Sequence, residues 1–202
     1  MNRPTFTQER LLLKAGFKLI AGVDEVGTGA WAGPVVAAAV IFKPRTRIDF
    51  IRDSKVLTPH QRVELATKIK KRALAWRLGY ATPEEIALWG LRRATLEAMR
   101  QAVMALHPLP QAVLADAFHI PGLPMFQQAI VRGDRKVRTI AAASIIAKVH
   151  RDKLMQYLDR KFPGYGFAAH KGYGTKAHLQ ALKRLGPSPV HRHSYAVVRG
   201  RK

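Results

Sequence analysis

Three carboxylates sit where short apolar runs come to an end. Asp24 and Glu25 follow Leu19-Ile-Ala-Gly-Val23, and Asp116 closes Gln111-Ala-Val-Leu-Ala115. A carboxylate buried beside such a run needs a basic partner, backbone N–H donors or a divalent cation. Turn or capping carboxylates paired with some of the 35 Lys and Arg residues would meet that need without any chemistry. Successive side chains of a regular strand point to opposite faces, so Asp24 and Glu25 cannot both serve one site from an ideal strand. Gly27 and Gly29 let the backbone turn there, and one residue could lend its side chain while the other lends a side chain or a backbone carbonyl. With oxygen ligands only and no Cys in the chain, the cation such a site suits is Mg²⁺ or Mn²⁺ rather than structural zinc.

The rest of the charge is of opposite sign. Lys and Arg outnumber Asp and Glu by 35 to 13, a formal +22, and a field of that strength draws polyanions, nucleic acid first. A cationic protein that gathers a few carboxylates in one place suggests phosphodiester chemistry, in which cations hold the scissile phosphate. The longest weakly polar run, Gly29 to Phe42, is 14 residues and contains Pro34, too short for the roughly 20 needed to span a bilayer. Glu9, Arg10, Lys14 and Lys18 interrupt the N-terminal stretch, which does not read as a secretory signal. Without Cys there is no disulfide framework or thiol nucleophile. A cytoplasmic protein is expected.

The elements that position these acids are legible from periodicity and punctuation. Lys18–Asp24 and Val35–Phe42 read as a strand hairpin across a glycine-rich turn, with further strands at 73–80, 111–116 and 127–131. Thr58-Pro59-His60-Gln61 and Thr82-Pro83-Glu84-Glu85 are capping-box starts, predicting a helix over 59–72 and helical structure from 83 to about 106, broken near Gly90. Arg138 to Arg160 contains no Gly or Pro and predicts a long, partly buried helix. At 202 residues, with 48% hydrophobic and 24% charged residues, this is one α/β domain with a mixed sheet flanked by helices. The residues from Pro187 on, basic and with two prolines, are expected as a loose tail, leaving 1–186 as the domain.

Six motifs in order give a family resemblance. Ala21-Gly-Val-Asp-Glu-Val-Gly-Thr-Gly29 and its continuation to Ile41, Asp53-Ser-Lys55, Leu114-Ala-Asp116, Gly133-Asp134, Ile140 to Asp152, and His170-Lys-Gly-Tyr-Gly-Thr175 together resemble ribonuclease HII over about residues 8 to 198. The resemblance implies a ribonuclease-H-like fold: a mixed sheet of about five strands, helices on both faces and a C-terminal helical extension. It implies an endonuclease that hydrolyses the RNA strand of RNA–DNA hybrids and nicks duplex DNA 5′ of an embedded ribonucleotide, leaving 3′-hydroxyl and 5′-phosphate ends. It also implies action as a monomer, on these nucleic acids and not on a membrane.

Carried over by motif, the catalytic and metal-holding residues would be Asp24, Glu25, Asp116 and Asp134. Two divalent ions about 4 Å apart would share them, one activating water and one stabilising the leaving 3′ oxygen. Asp134 also reads as a surface-turn carboxylate paired with Arg135 or Lys136. Recognition of the 2′-hydroxyl would fall to the backbone of Gly27, Thr28 and Gly29 and to Tyr173, which alone could equally be a packed aromatic. Ser54, Lys55 and Lys148 would meet phosphate oxygens. The family's Gly-Arg-Gly is Gly27-Thr28-Gly29 here, so a guanidinium is missing beside the ribonucleotide unless another arginine fills the space. His191-Arg-His-Ser-Tyr195 reads as structural or nucleic-acid-contacting rather than metal-binding. Two other readings compete. One is a basic RNA- or DNA-binding protein with weak or no cleavage; the other is a different metal-dependent nuclease on a related fold.

Overall fold

Alternate residues of Val35–Phe42 (β2) feed two different cores, and that division lays out the molecule. Val35, Ala37, Ala39 and Ile41 pack against Ala94, Ala98, Met99 and Ala102 of one helix, Leu91–Met104 (α4). Val36, Ala38, Val40 and Phe42 meet Leu65, Ala66 and Ile69 of Pro59–Arg72 (α2) and the Ala141–Ala147 stretch of Arg138–Lys161 (α6). Every residue of β2 is therefore buried, as expected of a central strand covered on both faces. The computed structural model describes residues 4–44, 46, 48, 51 and 57–200.

Five strands form one sheet in the order β3-β2-β1-β4-β5, where β1 is Ile20–Val26, β3 Ala73–Ala81, β4 Ala112–Asp116 and β5 Phe126–Ile130. The first hairpin is antiparallel, Val26 opposite Val36 and Ala21 opposite Ile41, and β3 continues it. β4 and β5 run parallel to β1. The mixed sheet and the five expected strands are all present, each within two residues of its predicted ends.

Both capping boxes form. Thr58 caps α2 and Thr82 caps Pro83–Trp89 (α3), with Gln61 and Glu85 returning the bond to the cap N–H. Gly90, at φ +79°, separates α3 from α4. Gly22 has no side chain because α6 starts there: a Cβ would stand 2.2 Å from the Thr139 carbonyl carbon. A short N-terminal helix, Thr7–Lys14 (α1), has no counterpart in the sequence reading. Glu9 on it accepts from the Thr139 N–H and hydroxyl at 3.0 and 2.9 Å, and so tethers α1 to the N-terminus of α6.

Beyond α6 come two short helices, Phe167–His170 (α7) and Lys176–Leu185 (α8). The described part of the segment from Pro187, up to Gly200, is not loose. Ser188, His191, Arg192 and Val198 are buried, and Gly33 and Arg192 exchange backbone bonds with Val190 and Trp31 at 2.8 Å. Arg192 and Tyr195 look solvent-directed in sequence, but both contact a turn more than 150 positions earlier.

Candidate active site

The parallel pairing of β1 with β4 runs from Ile20 opposite Ala112 to Val23 opposite Ala115. One step further in that register, at the carboxyl ends of adjacent strands, stand Asp24 and Asp116. Ligands of open α/β sheets bind beyond this edge. The space there is a cavity of about 330 Å³ lined by Asp24, Glu25, Asp116 and Asp134, with Gly27, Thr28, Arg62, Ser144, Lys148 and Tyr173 around them.

Each acid arrives by a different route. Asp24 is buried, accepts from the Glu25 N–H at 2.8 Å and faces Ser144 of α6. Asp116 accepts from the Gly133 N–H at 2.7 Å. That bond ties β4 to Gly133–Lys136 (α5), whose second residue is Asp134. Asp134 is buried, so it does not behave as a surface-turn carboxylate. Ala117 and Arg132, next to these segments, both adopt left-handed backbone at φ +58° and +57°, a strained arrangement typical of chain that must deliver a side chain to a fixed place.

The four acids repel one another in a poorly solvated space. Burial, followed by the charges of Glu25 and Asp116, holds the Asp24 carboxyl well above its ordinary range. Burial first, and then chiefly Asp116, pushes Glu25 up to about 7. Glu25 Oε2 is buried without a hydrogen-bond partner. An orphaned carboxylate oxygen among desolvated acids is the donor set that a hard divalent cation relieves. Among the described residues no three such side chains converge on one ion-sized point; the acids line one cavity without closing on its centre. The fit to cations therefore rests on donor chemistry, with oxygen ligands only and one of them unsatisfied.

Cations edge the same cavity. Lys148 and Arg62 both reach Asp152, at 2.8 and 3.4 Å, and Lys148 Nζ lies 5.7 Å from the centre of the Tyr173 ring. Partly exposed ion pairs like these add little stability; here they fix where two positive charges point. Arg62, Asp152 and Ser144 received no role from the sequence. Nothing in the local pattern around Arg62 signals that it lines the same cavity as Thr28.

The Gly27–Gly29 turn is held from beneath by two buried arginines. Arg151 donates to the carbonyls of Ala32, Pro34 and Lys171, and a Cβ on Gly27, at φ +96°, would collide with its Nε at 2.2 Å. Arg192 donates to the carbonyls of Gly27, Thr28 and Gly33 at 2.6, 2.9 and 3.1 Å. Burial brings Arg151 down to about 10 and lowers Arg192 too, and both remain cations at neutral pH. The Tyr173 ring completes the floor, its Cε1 4.0 Å from where a Cβ of Gly29 would stand, and Tyr173 pairs with Ala30 as an isolated bridge. Of the remaining residues singled out in the sequence, Ser54 and Lys55 lie outside the described residues. His191 bonds Ser188 and His178 rather than forming a ligand set with His193.

Comparison with known proteins accords with this geometry. The family model described as Ribonuclease HII matches residues 21–198. Ribonuclease HII of Roseiflexus castenholzii is 50% identical over 195 residues, 94% of this chain and 87% of that protein. The Thermus thermophilus ribonuclease HII is 50% identical over 181 residues, 89% and 87% of the respective lengths. Among solved structures, ribonuclease H2 of Pyrococcus horikoshii superimposes with a TM-score of 0.78 at 27% identity, covering 90% of this chain and 96% of that one.

Proposed function

The chain belongs to the ribonuclease HII family and is a hydrolytic endonuclease of the ribonuclease H type; from that premise we propose that it cleaves RNA paired with DNA and nicks duplex DNA 5′ of an embedded ribonucleotide. The observation that carries the reading is the gathering of Asp24, Glu25, Asp116 and Asp134 in one cavity rimmed by Arg62 and Lys148. A protein that only binds polyanions gains nothing from four acids in its cationic face.

Asp24, Glu25, Asp116 and Asp134 would hold Mg²⁺ or Mn²⁺. When bound, such ions offset the carboxylate charges, draw the phosphodiester in and make a water acidic enough to attack. The chain's own residues do the rest. Asp116 is fixed by the Gly133 N–H and Asp24 by the Glu25 N–H, which keeps the two acids oriented toward the phosphate. Lys148 and Arg62 attract its neighbouring oxygens. Water adds to phosphorus, the bond to the 3′ oxygen of the preceding nucleotide breaks, and that oxygen leaves as a hydroxyl while the ribonucleotide keeps a 5′-phosphate. The Gly27–Gly29 backbone and Tyr173 read the ribose, since glycine lets main chain approach a sugar closely and the 2′-hydroxyl is what separates RNA from DNA. Every acid comes from one chain, which supports action as a monomer. Among the described residues no helix is long and apolar enough to cross a membrane, and we place the enzyme in the cytoplasm with its nucleic-acid substrates.

A labelled DNA duplex with one ribonucleotide, an RNA–DNA hybrid and an all-DNA duplex, each with Mg²⁺, Mn²⁺ or EDTA, test this together. Metal-dependent nicking on the 5′ side of the lone ribonucleotide, with the all-DNA duplex intact, is expected. Cleavage that persists in EDTA would overturn the metal assignment, and cleavage of all-DNA duplex would overturn the ribose assignment.

A further inference from the structure

Beneath the Tyr173 loop runs a buried row of imidazoles that the chemistry above does not use. His178, in the first turn of α8, and His191 are both fully buried, and the His170 and His178 rings stack with centres 4.2 Å apart. The hydrogen bonds fix where every proton sits. The Ser188 N–H donates to His191 Nδ1 at 2.9 Å, so the His191 proton is on Nε2. That nitrogen lies 3.1 Å from His178 Nε2, which must accept, leaving the His178 proton on Nδ1. From there it donates to the main-chain carbonyl of Tyr173 at 3.0 Å. His170 grips the adjoining residue, accepting from the Gly172 N–H at 3.1 Å and donating to the Tyr165 carbonyl at 2.8 Å. Each ring has one donor and one acceptor to offer when neutral, and each is fully used.

We propose that His178, aligned by His191, is a positioning residue for ribose recognition: its Nδ1–H holds the Tyr173 carbonyl and thereby sets the Tyr173 ring against Gly29. The proposal rests on the reading of Tyr173 as a ribose contact. A relay of this kind works only with uncharged rings, since a second proton on either would face a donor. Burial lowers both His178 and His191, His191 to about 4, with His170 and His193 adding repulsion. The rings packed on the pair, Trp31, Phe167 and Tyr165, are aromatic and Ser188 is uncharged, while the exposed Glu84 lines one pocket with His191; buried as they are, both imidazoles are neutral at physiological pH. Lys171, at φ +54° just before Gly172, shows that the loop is held in a conformation it would not choose unaided.

The test compares His178→Asn, whose amide nitrogen falls near the Nδ1 position, with His178→Gln, whose amide reaches toward the Nε2 position and misses the carbonyl. Wild type, both variants and Tyr173→Ala are assayed for KM and kcat on the lone-ribonucleotide duplex, with Tm and the metal-induced rise in Tm as fold controls. Tyr173→Ala and His178→Gln are expected to raise KM about tenfold, the weight of one lost hydrogen bond, with kcat little changed. His178→Asn should stay within about twofold of wild type. His191→Asn, whose amide falls near the Nδ1 position and leaves His178 Nε2 without its donor, should reproduce the rise if a His178 variant fails to fold. Equal KM effects of Asn and Gln at 178, or none from either in folded protein, would overturn the proposal while leaving ribose reading by Tyr173 intact. An unchanged KM in Tyr173→Ala would overturn both.

Discussion

Arg192 donates from Nη2 to the carbonyl oxygen of Gly27 at 2.6 Å, across 165 positions of chain. The same guanidinium reaches the carbonyls of Thr28 and Gly33, so one side chain near the C-terminus shapes the backbone that lines the acids. In a trans peptide the N–H points opposite to the carbonyl, so binding the Gly27 and Thr28 carbonyls also orients the N–H groups of Thr28 and Gly29. Lysine offers a point charge in place of a rigid fork and cannot span three carbonyls. Arg192→Lys should therefore cost about 2–3 kcal/mol, a Tm drop of roughly 4–12 °C for a chain of this length. It should also lower kcat/KM on the lone-ribonucleotide duplex by about tenfold or more, with the metal-induced rise in Tm retained. Wild-type kcat/KM in a folded Arg192→Lys protein would break the link between this clamp and the site.

Removing a catalytic acid should stabilise the metal-free protein. Asp24 is buried, and Glu25 and Asp116 oppose its charge. Asp24→Asn keeps the shape and deletes that repulsion. Without divalent ions the variant should melt higher than wild type by roughly 2–4 °C per kcal/mol of relief, about 1 kcal/mol being reasonable. Cleavage should be abolished, and hybrid binding should be retained or tightened because negative charge has left a cationic groove. Thermal scans in EDTA with a gel-shift titration check this. A lower Tm together with normal cleavage would show that Asp24 is an ordinary structural carboxylate.

Metal binding should depend on pH through Glu25. In the fold its carboxyl is raised from 4.5 to about 7, so between those values the folded metal-free protein binds more protons than the unfolded chain. On that group's account, stability is highest below its unfolded value and falls as pH rises through the window. A cation must displace the same proton. The Mn²⁺-induced rise in Tm should therefore grow from about pH 5.5 to about pH 7.5 and then level off, and Glu25→Gln should flatten the trend. A rise independent of pH in wild type would mean that Glu25 does not contact the ion through its side chain.

The acids of β1 and β4 were legible because a carboxylate ending an apolar strand is anomalous without any tertiary knowledge. Asp134 was not legible from its surroundings: Gly133-Asp-Arg-Lys136 looks like a solvated turn, and its burial follows from Asp116 holding the Gly133 N–H. The strands and capped helices were marked by local rules, an unbroken apolar run in β2 and Thr-Pro starts in α2 and α3. Arg192 and His178 left no such mark. Their partners are main-chain carbonyls remote or irregular in sequence, and a bond to a carbonyl imposes no residue type on the other side. For the same reason the basic C-terminal segment read as a tail when it is a clamp.

Thr28 tests how much of junction recognition is charge and how much is shape. The turn is formed with threonine at position 28: Arg192 holds its carbonyls from below, while Arg62 and Lys148 line the same cavity as Thr28. None of these replaces an arginine side chain rising from position 28 itself, because Arg192 is spent on backbone oxygens and Arg62 and Lys148 are tied to Asp152. Thr28→Arg adds a guanidinium able to meet a phosphate bidentately. Roughly 1–2 kcal/mol of added binding, a five- to thirtyfold gain in kcat/KM, is expected on the lone-ribonucleotide duplex. A smaller gain is expected on the RNA–DNA hybrid, where every position offers a ribose and placement matters less. Raising the salt concentration should erase part of the gain, since a phosphate contact displaces counterions. Kinetics of both substrates at two salt concentrations separate the cases. Unchanged rate and preference in Thr28→Arg would mean that the shaped backbone over Arg192, with the cations at the rim, already does what an arginine at position 28 would do.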